Sequence, residues 1–286
     1  MAPYDAHLMG EVKVIALATD GSDYSDGAVQ EAIFFGQACG AKIVVLNVIG
    51  INTETATSAH STSMSIQQKT KEYINNIKKM ADDSGIECEV VIEESYQPDK
   101  TIVELAYKYN ADVIIMGRHG RKGLLKLLVG SMTSKVIGHG FPQVLVAPKD
   151  FAITGERILL ATDGSDLSQM AAEEVMNITT HCSTLKEAYV LAVATKEADL
   201  DRAKELAESV CSNNEKKEAN VSCTPLTAVG RPSDVIAAVA LEKNIDMIVI
   251  GGHGKGLTKL LMGHVTEKVI GRAHCAVLVI EKKKDN

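Results

Sequence analysis

The chain has 286 residues, of which 45% are hydrophobic and 23% charged, with a formal net charge of −7; that balance fits a folded polypeptide and excludes a disordered, collagen-like or disulfide-miniprotein chain. Tryptophan is absent and aromatics are only 4%, which with the negative charge argues against binding of nucleic acid or of an anionic membrane surface, and no apolar run reaches the roughly 18 residues that span a bilayer. Six cysteines stand singly with no Cys-x-x-Cys pair, and Met1–Asp5 opens no basic-then-apolar leader, so the expectation is a cytoplasmic protein with reduced thiols.

In chain order, Val12–Thr19 is an apolar run closed by turn residues, which predicts a buried strand. Gly27–Cys39 has helical spacing, and Ala41–Ile49 reads as the second strand. Gly50–Ser63 is rich in Ser and Thr without an apolar period and reads as a loop; Ser65–Ser84 follows as an amphipathic helix. Cys88–Glu94 is a third strand, Pro98–Tyr109 a helix with proline in its first turn, Asp112–Met116 a fourth strand, Thr133–His139 a helix and Gln143–Ala147 a fifth strand. The same series then repeats from Arg157–Ala161 through Ala276–Ile280.

The repetition is visible in the residues themselves. Ala18-Thr19-Asp20-Gly21-Ser22-Asp23 returns as Ala161-Thr162-Asp163-Gly164-Ser165-Asp166. Lys135-Val136-Ile137-Gly138 returns as Lys268-Val269-Ile270-Gly271, and Val144-Leu145-Val146 as Val277-Leu278-Val279. A length of 286 residues already favours two domains. We therefore expect two, residues 1–150 and 151–286, each a doubly wound α/β unit with a parallel sheet made by right-handed crossovers.

In such sheets a ligand sits at the carboxyl ends of the strands, where strand order reverses. Asp20 ends the first strand and Gly117-Arg118-His119-Gly120 the fourth. Residues 117–135 carry Arg118, Arg121, Lys122, Lys126 and Lys135 and no acid. Gly130-Ser131 stands before a helix, with Ser131 as the expected N-cap and the following amides as donors to a phosphate. The chain has neither a G-x-x-x-x-G-K-[ST] loop nor a G-x-G-x-x-G after the first strand, so the common NTPase and dehydrogenase readings lose support.

Gly117-x-x-Gly120, nine residues, then Gly130-Ser131, together with Asp20 and Leu46-Asn47-Val48, resembles the G-x2-G-x9-G-[ST] nucleotide motif of the universal stress protein family, as a tandem pair covering nearly the whole chain. The resemblance implies strand order 3-2-1-4-5 in each unit and an adenine nucleotide as ligand, ATP or else ADP or AMP, with Mg²⁺ as accompanying ion. It implies Asp20 at the ribose or base and Val48 at the adenine edge. Gly117, Arg118, Gly120, Gly130, Ser131, Met132 and Thr133 would then stand along the phosphates, with Ala18, Thr19 and Met116 as walls. It also implies an intrachain pseudo-dimer through the fifth strands, with a homodimer as a further option.

The second copy keeps Asp163, Val193, Gly251, Gly254 and Gly263, but only eight residues separate the last two, and His264 replaces the serine. A bulkier imidazole would crowd a phosphate, so this second site is expected to bind poorly, differently or not at all. Three further readings stand beside these. Asp20 and Asp163 could simply cap Asp-Gly turns. His181, Cys182, Cys223, His274 and Cys275 could gather on zinc, although their spacing matches no metal pattern. No G-x-S-x-G elbow or H-E-x-x-H appears, which leaves a nucleotide-binding stress or signalling module, with slow ATP hydrolysis or an interaction protein with empty sites as alternatives.

Overall fold

The computed structural model describes residues 12–51, 60–119, 129–182, 184–215, 221, 223–253 and 262–282, the side chains of 60–66 and 214–215 excepted. The first half runs β1 (Val14–Ala18), α1 (Asp26–Cys39), β2 (Lys42–Gly50), α2 (His60–Asp83), β3 (Cys88–Ser95), α3 (Pro98–Lys108), β4 (Val113–Gly117), α4 (Ser131–Gly138) and β5 (Gln143–Ala147). The second runs β6 (Arg157–Thr162), α5 (Asp166–His181), β7 (Glu187–Ala194), α6 (Leu200–Glu215), β8 (Cys223–Val229), α7 (Pro232–Glu242), β9 (Met247–Gly251), α8 (His264–Arg272) and β10 (Ala276–Ile280). The α2 helix begins at His60, five residues before the expected start, inside the stretch read as a loop.

These strands form one ten-stranded sheet in the order β3-β2-β1-β4-β5-β10-β9-β6-β7-β8. Each half therefore shows the implied 3-2-1-4-5 order, parallel throughout. The halves join where β5 meets β10 antiparallel, with Leu145 opposite Leu278. Consecutive strand residues point to opposite faces, and the core follows. Ile15 and Leu17 pack on one side with α1, α2, α5 and α6, while Ala16 and Ala18 pack on the other with α3, α4, α7 and α8. Both layers continue across the seam.

One expectation about chemistry fails here. Cys211 near the end of α6 and Cys223 at the start of β8 form a disulfide, with Cα atoms 5.2 Å apart. Two of the six thiols expected to be reduced are joined, which also removes Cys223 from the zinc grouping. Packing of α6 beside β8 brings the two cysteines within bridging range, a proximity that their separation of 12 residues does not announce.

Candidate functional site

In each half the strand order reverses beside the first strand: β1 lies between β2 and β4, and β6 between β7 and β9. At the carboxyl end of β1, the chain turns through Asp20-Gly21, with Gly21 at φ +70°. Asp20 Oδ1 accepts from the Ser22 amide at 3.1 Å and from its hydroxyl at 2.5 Å, and Thr19 Oγ1 accepts from the Gly21 amide. Asp163 Oδ1 likewise accepts from the Ser165 amide at 2.9 Å. The turn-capping reading of both aspartates thus describes their local role. It leaves both at the lip of the crevice.

The glycine loop is anchored alike in both halves. The Thr133 hydroxyl donates to the Gly117 carbonyl at 3.0 Å, and that of Thr266 to the Gly251 carbonyl at 2.8 Å. Gly130 N–H donates to the Arg118 carbonyl, and Gly263 N–H to that of Gly252. These bonds seat the start of α4 and of α8 against the end of the fourth strand of its unit. Gly130 and Gly263 hold the N-cap positions, and Ser131 is an exposed first helical residue with no side-chain cap bond, a correction to its expected role. Gly120 and Gly254, with Arg121, Lys122, Lys126, Lys255 and Lys259, lie outside the described residues.

Arg118 faces the other half. Its guanidinium donates to the carbonyls of Gly271 and Ala273, at the end of α8 in the other half. Free carbonyls at a helix C-terminus attract a cation, so this arginine is committed to the seam. Lys135 is also partly engaged, 4.0 Å from Asp99, whose other oxygen lies 2.7 Å from His139 Nε2. Burial is the main cause that lowers the His119 pKa, and the neighbouring Arg118 adds to it.

Ala18, Thr19 and Met116 are buried and Val48 and Met132 half-buried around this end of the first half. Asn47, which the sequence offers only as the neighbour of Val48, is buried. Its amide donates to the Thr19 carbonyl at 2.9 Å, and its Oδ1 has no partner among the described residues. Ala192 holds the corresponding place in the second half.

The described cavity at such a switch point belongs to the second half, where the motif departs from the pattern. It has a volume of about 300 Å³, at the small end of the roughly 300–1,000 Å³ typical of ligand pockets. Asp163, Val193, Gly251, Gly263 and His264 all line it, together with the apolar walls Leu191, Ile236 and Ile250. Val265 and Thr266 bring the first turn of α8 to its edge. His253 lines it too, and its Nδ1 stands 3.4 Å from a carboxylate oxygen of the buried Glu281. Among the described residues no group of three or more acidic, histidine or cysteine side chains could hold a metal ion.

Residues 11–148 and 155–281 each match the model of the universal stress protein family. A universal stress protein of Methanocaldococcus jannaschii is 32% identical over 141 residues, which are 48% of this chain and 82% of that one. A protein of Staphylococcus aureus, described as a universal stress protein by assignment, is 28% identical over 148 residues, 49% of this chain and 89% of its own. Among solved structures, a universal stress protein of Archaeoglobus fulgidus superposes with a TM-score of 0.73 over 99% of this chain and 100% of its own, at 23% identity, a likeness of fold.

Proposed function

The chain belongs to the universal stress protein family through both of its halves, and we propose that it is an adenine-nucleotide-binding protein of stress response or signalling, whose first half binds ATP and whose second half departs from that specificity. The observation that supports this most is the shared seating of the last helix of each unit. In both halves a threonine hydroxyl and a glycine amide lock the helix start to the end of the fourth strand, and in the second half that first turn lines a cavity. Unpaired amides at a helix start are donors to phosphate. In the first half, Asp20 and Val48 stand on adjoining strand ends where ribose and base would lie. The units we propose are residues 1–150 and 151–286.

The reading is tested on purified full-length chain. Nucleotide released on denaturation is identified by mass spectrometry, and isothermal titration compares ATP with GTP. The expected result is an adenine nucleotide and about one strong ATP site per chain. Equal affinity for GTP would remove Val48 as the reader of adenine. The absence of nucleotide binding would favour an interaction protein with empty sites.

A further inference from the structure

The turn that carries Asp20 is built differently from its counterpart in the second half. There, Ser165 is the N-cap of α5 and its hydroxyl accepts from the Ser168 amide, so Asp163-Gly164-Ser165 runs straight into the helix. In the first half the Ser22 hydroxyl donates to Asp20 instead. A single tight turn, Asp23–Ser25, intervenes before α1 begins at Asp26, and neither Ser22 nor Ser25 makes a side-chain cap bond. The direction of the Asp20 carboxylate is thus tied to Ser22, on a segment that its own helix does not cap.

Helix α2 braces that segment at both ends. Thr70 lies so close to Gly21 that a Cβ on residue 21 would overlap it, and Gly21 is already left-handed at φ +70°, so the position calls for glycine. Three residues further along α2, the Tyr73 hydroxyl donates to Asp26 Oδ1 at 2.8 Å. Residues three apart share one helix face, so a single face of α2 grips Gly21 and Asp26 on either side of Ser22. Burial is the main cause that raises the Tyr73 pKa, followed by the bond to Asp26 and the charges of Asp26, Asp20 and Asp23; the phenol keeps its proton, and its role as donor, throughout the neutral range. In the second half, α6 contains neither tyrosine nor threonine, and Gln169 stands in the place of Asp26.

We propose that Thr70 and Tyr73 are positioning residues of the first-half site, through which α2 sets the Asp20 carboxylate for the hydroxyls of a ribose before the ligand arrives. An acceptor ordered in advance loses less freedom on binding, and its aim is kept only if the groups around it are locked. The second half has no such brace, which gives the two sites different ribose recognition on one fold. The proposal deepens the adenine-nucleotide reading and rests on Asp20 facing the ribose.

The test titrates the full-length chain with ATP, 2′-deoxy-ATP and 3′-deoxy-ATP. Wild type is expected to favour ATP about tenfold or more over at least one deoxy form, the worth of one hydrogen bond to a charged group, and Asp20→Ala should bring that ratio close to one. Tyr73→Phe, which removes only the bond to Asp26, should cut the ratio about threefold or more while leaving affinity for the weaker deoxy form nearly unchanged. Thr70→Ala, which takes away the contact with Gly21, should act in the same sense and carries the test if Tyr73→Phe fails to fold. A wild-type ratio in these variants, or an equal loss of affinity for all three nucleotides, would overturn the positioning role and leave Asp20 at the ribose. Equal binding of ATP and both deoxy forms by wild type, a ratio that Asp20→Ala leaves unchanged, or no binding of any of the three would overturn the ribose reading itself.

Discussion

Glu31 illustrates how one buried group can set the response to pH. It is fully buried on α1, where one oxygen accepts from the Ile153 amide and the other has no partner among the described residues. Burial is the main cause that raises its pKa to about 8, with Asp246 adding to the rise. In the unfolded chain the group titrates near its ordinary value of 4.5, so between pH 4.5 and 8 the folded state binds the extra proton. Stability from this group is then complete at low pH and declines as pH rises through 8. Each tenfold gain in proton affinity on folding corresponds to about 1.4 kcal/mol, so the decline amounts to a few kcal/mol. Glu31→Gln should therefore melt higher than wild type at about pH 9, where the wild-type carboxylate is charged, and close to it at about pH 5. A difference independent of pH would show that the proton is not involved. Asp20 makes a second prediction at this scale. Asp20→Ala removes the acceptor of two Ser22 bonds and should destabilise by about 0.5–2 kcal/mol, as loss of a cap does. It should also weaken ATP binding at least tenfold by titration, whereas Asp163→Ala should change ATP binding little.

At the level of elements, α8 depends on a residue far away in the chain. Arg118→Ala deletes a charged donor to the Gly271 and Ala273 carbonyls and should cost about 1.5–3 kcal/mol in chemical denaturation, the range for hydrogen bonds to charged groups. Affinity for ATP should stay within about threefold, since the guanidinium is engaged at the seam; a large loss would return Arg118 to the phosphates. The α6–β8 pair carries the disulfide, which closes a loop of 12 residues. Cys211→Ser should cost about 2–3 kcal/mol under oxidising conditions and nothing in excess reductant. These two features also mark where sequence reading stopped. Periodicity located the strands, because apolar runs bounded by turn residues are a local property, and β5 and β10 come out residue for residue. The repeat and glycine spacing likewise reported Asp20, Gly117 and Gly130 at the ends of adjoining elements. The path of the Arg118 side chain, the place of the Glu281 side chain beside Gly252 and the Cys211–Cys223 bond all depend on contacts between distant segments, for which one sequence carries no local signal. Ser131 failed differently: serine is a good cap by type, but the preceding glycine took that position.

Over the whole molecule, the β5–β10 ladder turns two units into one sheet whose outer edges are β3 and β8. The β3 edge carries Glu89, Glu93 and Glu94, and β8 contains Pro225, both deterrents to pairing with another chain. Residues 1–150 produced alone would expose β5, an apolar strand with unpaired backbone groups. We expect that fragment to elute as a dimer in light scattering, and a monomer would show that the seam has no affinity of its own. Nucleotide binding should stabilise the full chain, by about 2.7 kcal/mol with ATP at a hundredfold excess over Kd. A pair of identical subunits related by a rotation axis must carry every residue on both sides of its interface. Covalent fusion lifts that requirement. An arginine at 118 can reach across while its counterpart, Gly252, makes room for the Glu281 side chain, a combination that no symmetric assembly of one short chain could hold. Asymmetry across the seam is thus available to this molecule without any change in the fold that carries it.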